Sequence, residues 1–201
     1  SNGYRYTSRI QGYADVTILK GLTFRMTQGF TFGDYVARST YGRDSYTTVM
    51  ANGDKTSATA TSTQNYSWTN QNILSYVKEF NRNHRINATA VFEQMYSDDF
   101  IHKTEAKGGL VSTVIGANNT ALGDIMYASG DRTKTTMMSW MGRVNYVFMD
   151  RYMLTASWRY DGSSRLNKDN RWEQFPSVAL AWNAKQESFL RNVDFLSQLK
   201  L

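Results

Sequence analysis

MSWMGRVNYVFMDRYMLTASWRYDGSSRLNKDNRWEQFPSVALAW, residues 138–182, is the stretch that decides the fold. Along Met138, Trp140, Gly142, Val144, Tyr146 and Phe148 every second residue is apolar or small. Ser139, Met141, Arg143, Asn145 and Val147 between them are mixed, with the polar ones in the middle. After the turn at Met149, Asp150 and Arg151 the pattern repeats. Tyr152, Leu154, Ala156, Trp158 and Tyr160 share one parity, and Met153, Thr155, Ser157, Arg159 and Asp161 the other. A period of two over about ten residues predicts strands with two unlike faces. One face carries tryptophans and tyrosines, the other arginines and an aspartate, as in a transmembrane barrel wall between lipid and a wet lumen.

Working outward, residues 9–18 and 22–32 predict a hairpin. Ile10, Gly12, Ala14, Val16 and Ile18 alternate with polar neighbours, Lys20-Gly21 forms the turn, and Leu22, Phe24, Met26, Phe30 and Phe32 answer. Residues 33–63 lose the period and predict a long polar loop. Pairing resumes near Asn65 with Tyr66, Trp68, Leu74 and Tyr76, turns at residues 78–83, and returns through Ile86, Ala88, Ala90, Phe92 and Tyr96. Residues 97–136 predict a second long loop and 162–173 a third, before a seventh strand near Phe175–Ala184 with Val178, Leu180 and Trp182 on one face. Phe189, Val193, Leu196 and Leu199 are spaced three or four apart, which predicts a short helix or irregular turn. Short turns thus alternate with long gaps, the rhythm of outer-membrane barrels. A soluble sandwich has no reason to gather its long loops at one end. Tyr146, Phe148 and Tyr152 near a short turn, and Trp158, Tyr160 and Trp172 near a loop, would make two interfacial girdles. The fold class expected is all-β: antiparallel up-and-down strands, seven to eight of them, forming part of a large transmembrane β-barrel.

Composition agrees. The 23 basic and 17 acidic residues give a net charge of +6 spread along the chain, not gathered on one face as nucleic-acid binding requires. Cysteine is absent, so disulfides and thiolate metal sites are excluded. A single proline with 13 Tyr, 10 Phe and 5 Trp favours strands. No apolar run of about eighteen residues predicts a transmembrane helix, which leaves a barrel open.

Residues 146–165, from Tyr146 through Asp150-Arg151-Tyr152 to Asp161-Gly162-Ser163-Ser164-Arg165, resemble the NYxxxDRYLLTASxRxDGSSRF segment of SusC-like TonB-dependent transporters. The likeness continues through Lys168–Trp172, Phe175-Pro176-Ser177, Ala181-Trp182 and Leu196–Leu201. Leu166 stands where the family usually has Phe and Glu173 where it often has Gly. The resemblance implies that 1–201 is a single segment of the barrel domain, without plug domain, TonB-contacting segment or signal peptide. It implies an importer of oligosaccharides or peptides in the outer membrane of a Gram-negative bacterium. Its expected partners are a SusD-like surface lipoprotein, TonB through a part not seen here, and outer-membrane lipid.

Candidate chemistry is sparse. His84 and His102 lack metal-pair spacing. Asp98, Asp99, Asp124 and Asp131 could hold calcium or form a solvated acidic loop. Asp161, Arg165, Asn170, Arg171 and Trp172 make the sharpest polar cluster, read either as a structural clasp at a strand exit or as groups facing substrate. Tyr35, Arg38, Tyr41, Arg43, Tyr46 and Tyr127, in the expected loops, offer stacking faces and forked donors for sugars or peptides. No cofactor is expected. Two rival classes are a secreted β-sandwich that binds glycans through loop tyrosines and a barrel enzyme, the latter lacking any nucleophile–base pair in the sequence.

Overall fold

A computed structural model describes residues 2–42, 45, 56–81, 83–108, 116–190 and 197–201. They form seven strands: β1 (Asn2–Leu19), β2 (Leu22–Tyr41), β3 (Ser57–Phe80), β4 (His84–Lys107), β5 (Ile125–Phe148), β6 (Tyr152–Ser163) and β7 (Trp172–Trp182). All lie in one sheet in sequence order, the up-and-down arrangement that alternation and short turns predict. The sandwich reading fails, because among the described residues all strands lie in one sheet and none forms a second layer.

The tight turns are where the sequence places them. Gly21 has φ 86°, and a Cβ there would collide with the Val77 carbonyl oxygen, so glycine is required on both counts. At the β5–β6 turn Met149 and Asp150 both take positive φ, 53° and 57°, and the Arg151 N–H donates to the Phe148 oxygen at 3.0 Å. Two successive left-handed residues give the turn the twist that hairpin strands need.

The long loops are shorter than predicted. β2 continues to Tyr41 and β3 begins at Ser57, inside the expected loop 33–63. β4 continues to Lys107 and β5 begins at Ile125, inside the expected loop 97–136. These segments carry polar residues on both parities, so no apolar side imposes a visible period. Their Thr, Ser and Tyr still favour extended backbone, and the ladder runs on regardless. β7 is followed by a 3-10 turn at Ala184–Gln186; of the short helix or irregular turn expected from Ser188, residues 188–190 form a turn. Val193 and Leu196 lie outside the described residues. The chain then returns to β7: Trp182 and Leu201 exchange backbone bonds of 2.8 and 2.9 Å.

Residues fall into two compact units. In the first, 1–10, 30–68 and 96–134, the buried apolar residues among those described are Ala58, Ala106 and Ala117. The second, 11–29, 69–95 and 135–201, buries Ala184. No large apolar side chain is buried among the described residues. Accessible surface is 14037 Å², whereas a globular protein of 23.0 kDa exposes roughly 9,600 Å². The chain builds a wall, and its apolar side chains remain on the surface.

Candidate functional site

The registers of β5–β6 and β6–β7 sort the wall into two faces. Across the three strands the rows read Gly142, Trp158, Pro176; Val144, Ala156, Val178; Tyr146, Leu154, Leu180; and Phe148, Tyr152, Trp182. Every member is apolar or aromatic. Leu180 is 77% exposed and Val178 71%, the reverse of what a water-facing sheet tolerates. Aromatic contacts edge this band at both ends. At one, Trp158 stacks on Tyr160 at 5.7 Å, Tyr160 on Trp172 at 4.8 Å, and Trp140 meets Phe92 at 4.4 Å. At the other, Phe148 lies 4.8 Å from His84 and 6.2 Å from Tyr152, and the Tyr146 hydroxyl lies 2.6 Å from His84 Nδ1. From Trp140 to Phe148 is the strand length that crosses hydrocarbon when tilted. Between the edges runs an open apolar trough of about 430 Å³, floored by Ala88, Ala90, Gly142 and Ala156.

The opposite parity is polar and internally bonded. Thr155 Oγ1 donates to Asn145 Oδ1 at 2.9 Å, and Gln71 Nε2 to Glu93 at 2.7 Å. Arg159 Nε bonds Asp161 at 2.7–2.8 Å and its Nη2 reaches Ser139. Arg25 bonds Asp15 through two nitrogens. Arg143 makes no side-chain bond among the described residues and stays available on this face. In the first unit the same parity brings together Asn65, Ser97 and Asp99. The sequence reading missed Asn65, Gln71, Glu93 and Ser97, and took Asp99 for a residue of an acidic loop. Their shared odd parity was the signal, and only for Ser97 and Asp99 did it fall where a loop was expected.

The predicted polar cluster divides. Asp161 lies on the polar face in the pair with Arg159. Arg165 Nε donates to Thr135 Oγ1 at 3.2 Å, and its N–H donates to Ser163 Oγ at 3.3 Å. Asn170 closes a 3-10 turn, Lys168–Asn170, that Asn167 caps by accepting from the Lys168 N–H at 2.7 Å. Arg171 receives the Ser163 N–H on its carbonyl, while its Nε is buried without a bond. Trp172 opens β7 on the apolar face, its ring over Gly162, where a Cβ would stand 2.6 Å from the indole. These contacts join the loop between β6 and β7 to the middle of β5.

Of the aromatic and arginine candidates, Tyr35, Arg38 and Tyr41 lie on β2 and Tyr127 on β5, so their loop placement is corrected. Arg43 and Tyr46 lie outside the described residues. Arg5 stacks over Tyr35 at 4.9 Å. Asp98, Asp99 and Asp131 are likewise on strands rather than in an acidic loop. Asp98 and Asp99, as neighbours on β4, point to opposite faces.

Two carboxylates outside the apolar band are held by donors. The Arg132 guanidinium, bonded at 2.9 and 2.8 Å, holds the Asp98 carboxyl down at about 2, against a partial desolvation; the Tyr96 hydroxyl at 3.0 Å helps. Beyond β7, Glu187 accepts from Tyr152 at 2.7 Å, Trp182 at 3.2 Å and Arg151 at 3.0 Å. These bonds, Tyr152 first and Trp182 next, lower its carboxyl below the ordinary range. They tie the chain after β7 to the β5–β6 turn.

Known proteins share both sequence and fold. The TonB-dependent receptor SusC of Bacteroides thetaiotaomicron is 54% identical over 69 residues, 34% of this chain and 7% of the receptor. The TonB-dependent receptor P26 of Formosa agariphila is 36% identical over 138 residues, covering 67% of this chain and 14% of the receptor. Receptor P3 of that organism is 30% identical over 202 residues, 96% of this chain and 19% of the receptor. The chain thus spans less than a fifth of the length of these relatives. The solved RagAB peptide transporter, 19% identical, superposes with a TM-score of 0.84 over 98% of this chain and 22% of its own. No protein-family model matches the chain. Fold and paired faces define the class: a strip of transmembrane β-barrel wall. Within that class, the chain belongs with the SusC-like TonB-dependent receptors, as a stretch of their barrel.

Proposed function

We propose that the whole protein is an outer-membrane importer of oligosaccharides or peptides, driven by TonB and working with a SusD-like surface lipoprotein, and that residues 1–201 supply part of its wall. One observation carries this reading: an unburied apolar face backs a polar face of bonded side chains with arginines to spare. Lipid stabilises the first, since the apolar rows leave water on insertion. The second offers passing solutes hydroxyls, amides and guanidinium groups without leaving the wall's own polar groups unpaired. Substrate class draws support from the relatives, among which RagAB is a peptide transporter. Chemistry at the wall is binding, not bond-breaking, and the relatives are named as receptors and transporters.

Deleting the full-length gene tests the reading. Growth of the source bacterium on one oligosaccharide or peptide source is expected to stop, and also in a strain lacking TonB. A surface lipoprotein is expected to copurify with the tagged receptor. Unchanged growth on every such nutrient and the absence of a lipoprotein partner would overturn it.

A further inference from the structure

Between β1, β2 and β3, in the first unit and on the odd parity, lies a recess of about 200 Å³. Gly33 opens it: a side chain there would stand 3.7 Å from the Asn65 Cβ and 3.9 Å from Thr7 Oγ1. Arg5 sits at its edge, with its guanidinium over the Tyr35 ring at 4.9 Å. Stacking fixes the plane of the guanidinium and leaves its N–H edges to bond outward. Arg5 has no carboxylate within ion-pair distance among the described residues, whereas Arg132 and Lys103 of the same unit are paired with Asp98 and Glu105. Asp34 also borders the recess but makes no bond to Arg5. Asn65 spends its amide N–H groups on Ser97 and Asp99, so its carbonyl oxygen is left as an acceptor beside the hydroxyls of Thr7 and Thr63.

We propose that this recess is a subsite for a carboxylate-bearing unit of the imported molecule, with Arg5 as the carboxylate's partner; the inference rests on the import reading above. A guanidinium offers only donors, in a planar fork that matches the two oxygens of a carboxylate. Arg5 covers one face of Tyr35, which removes that face as a platform for a neutral sugar ring. Asn65 and the threonines supply acceptors for the hydroxyl or N–H groups next to the acid. An acidic sugar and an acidic amino-acid residue share this chemistry.

Saturation-transfer NMR on the full-length protein in detergent tests it, with sodium glucuronate and N-acetylglutamate as acidic probes and glucose as the neutral one. The parent is expected to bind an acid and not glucose, and the stronger of the two acid signals identifies the source. Arg5→Gln, a change at an exposed strand position, is expected to weaken acid binding tenfold or more. Gly33→Leu, which fills the recess and keeps Arg5, is expected to do the same. No acid binding by the parent, or acid binding that Arg5→Gln retains, overturns the proposal. Cellular uptake separates the two readings. If the parent imports nothing, the import reading falls. If parent and Arg5→Gln import an acidic substrate equally well, only the subsite falls.

Discussion

Asp98 shows what one side chain contributes when its partners are fixed. Its folded carboxyl titrates at about 2, below the ordinary 3.8. A depressed carboxylate stabilises the folded state fully above its unfolded value, and that contribution is lost as pH falls from about 4 through about 2. Infrared carboxylate bands of the full-length protein, parent minus Asp98→Asn, are expected to titrate with a midpoint near 2. A midpoint near 3.8 would mean that the bond to Arg132 does not hold. Gly162 makes a steric argument of the same kind. With the Trp172 indole 2.6 Å from a would-be Cβ, Gly162→Ala must displace the ring from its stack on Tyr160. An aromatic pair is worth about 0.5–1.5 kcal/mol beyond its buried area. The variant is therefore expected to lose its folded form on semi-native gels at a lower temperature than the parent, and an unchanged transition would count against the stack.

Among the elements, β5, β6 and β7 were legible because a row such as Tyr146, Leu154 and Leu180 must be apolar while Asn145 and Thr155 beside it bond each other. That contrast writes a period of two into the sequence. Residues 33–41 and 97–107 form strands just as regular, yet Asp34, Arg38 and Asp98 put charge on the even parity that is apolar elsewhere, Asp99 puts it on the odd one, and the period is erased. The polar site was hidden for the same reason: Ser97 and Asp99 bond Asn65 only because β3 and β4 run on past the apolar band. After β7, Glu187 gathers three donors beside the turn at Ala184–Gln186, a tie that residue spacing does not reveal. The two faces predict opposite responses to one charge. Leu154→Arg places a cation within the apolar band, at a cost of about 2–4 kcal/mol near the membrane centre. Its neighbour Thr155→Arg places the same cation on the polar face. Assembled full-length receptor, measured by heat-modifiable mobility, is expected to fall sharply for the first and little for the second. Equal loss in both would contradict the assignment of faces.

For the molecule as a whole, the apolar band has meaning only in contact with lipid, since among the described residues no buried apolar side chain is larger than alanine. Its 201 residues contain no cysteine, so a cysteine placed among them is unique within this stretch. Nitroxide labels at Leu154, Ala156, Val178 and Leu180, and at Thr155, Ser157, Ser177 and Ala179, in the full-length protein reconstituted in bilayers, give the most direct test. Collision with oxygen, which concentrates in hydrocarbon, is expected to dominate at the first four, and collision with a water-soluble nickel complex at the second four. Labels that alternate in this way along β6 and β7 match a wall between lipid and lumen. Equal access to both quenchers at neighbouring positions, or the alternation reversed, would contradict it.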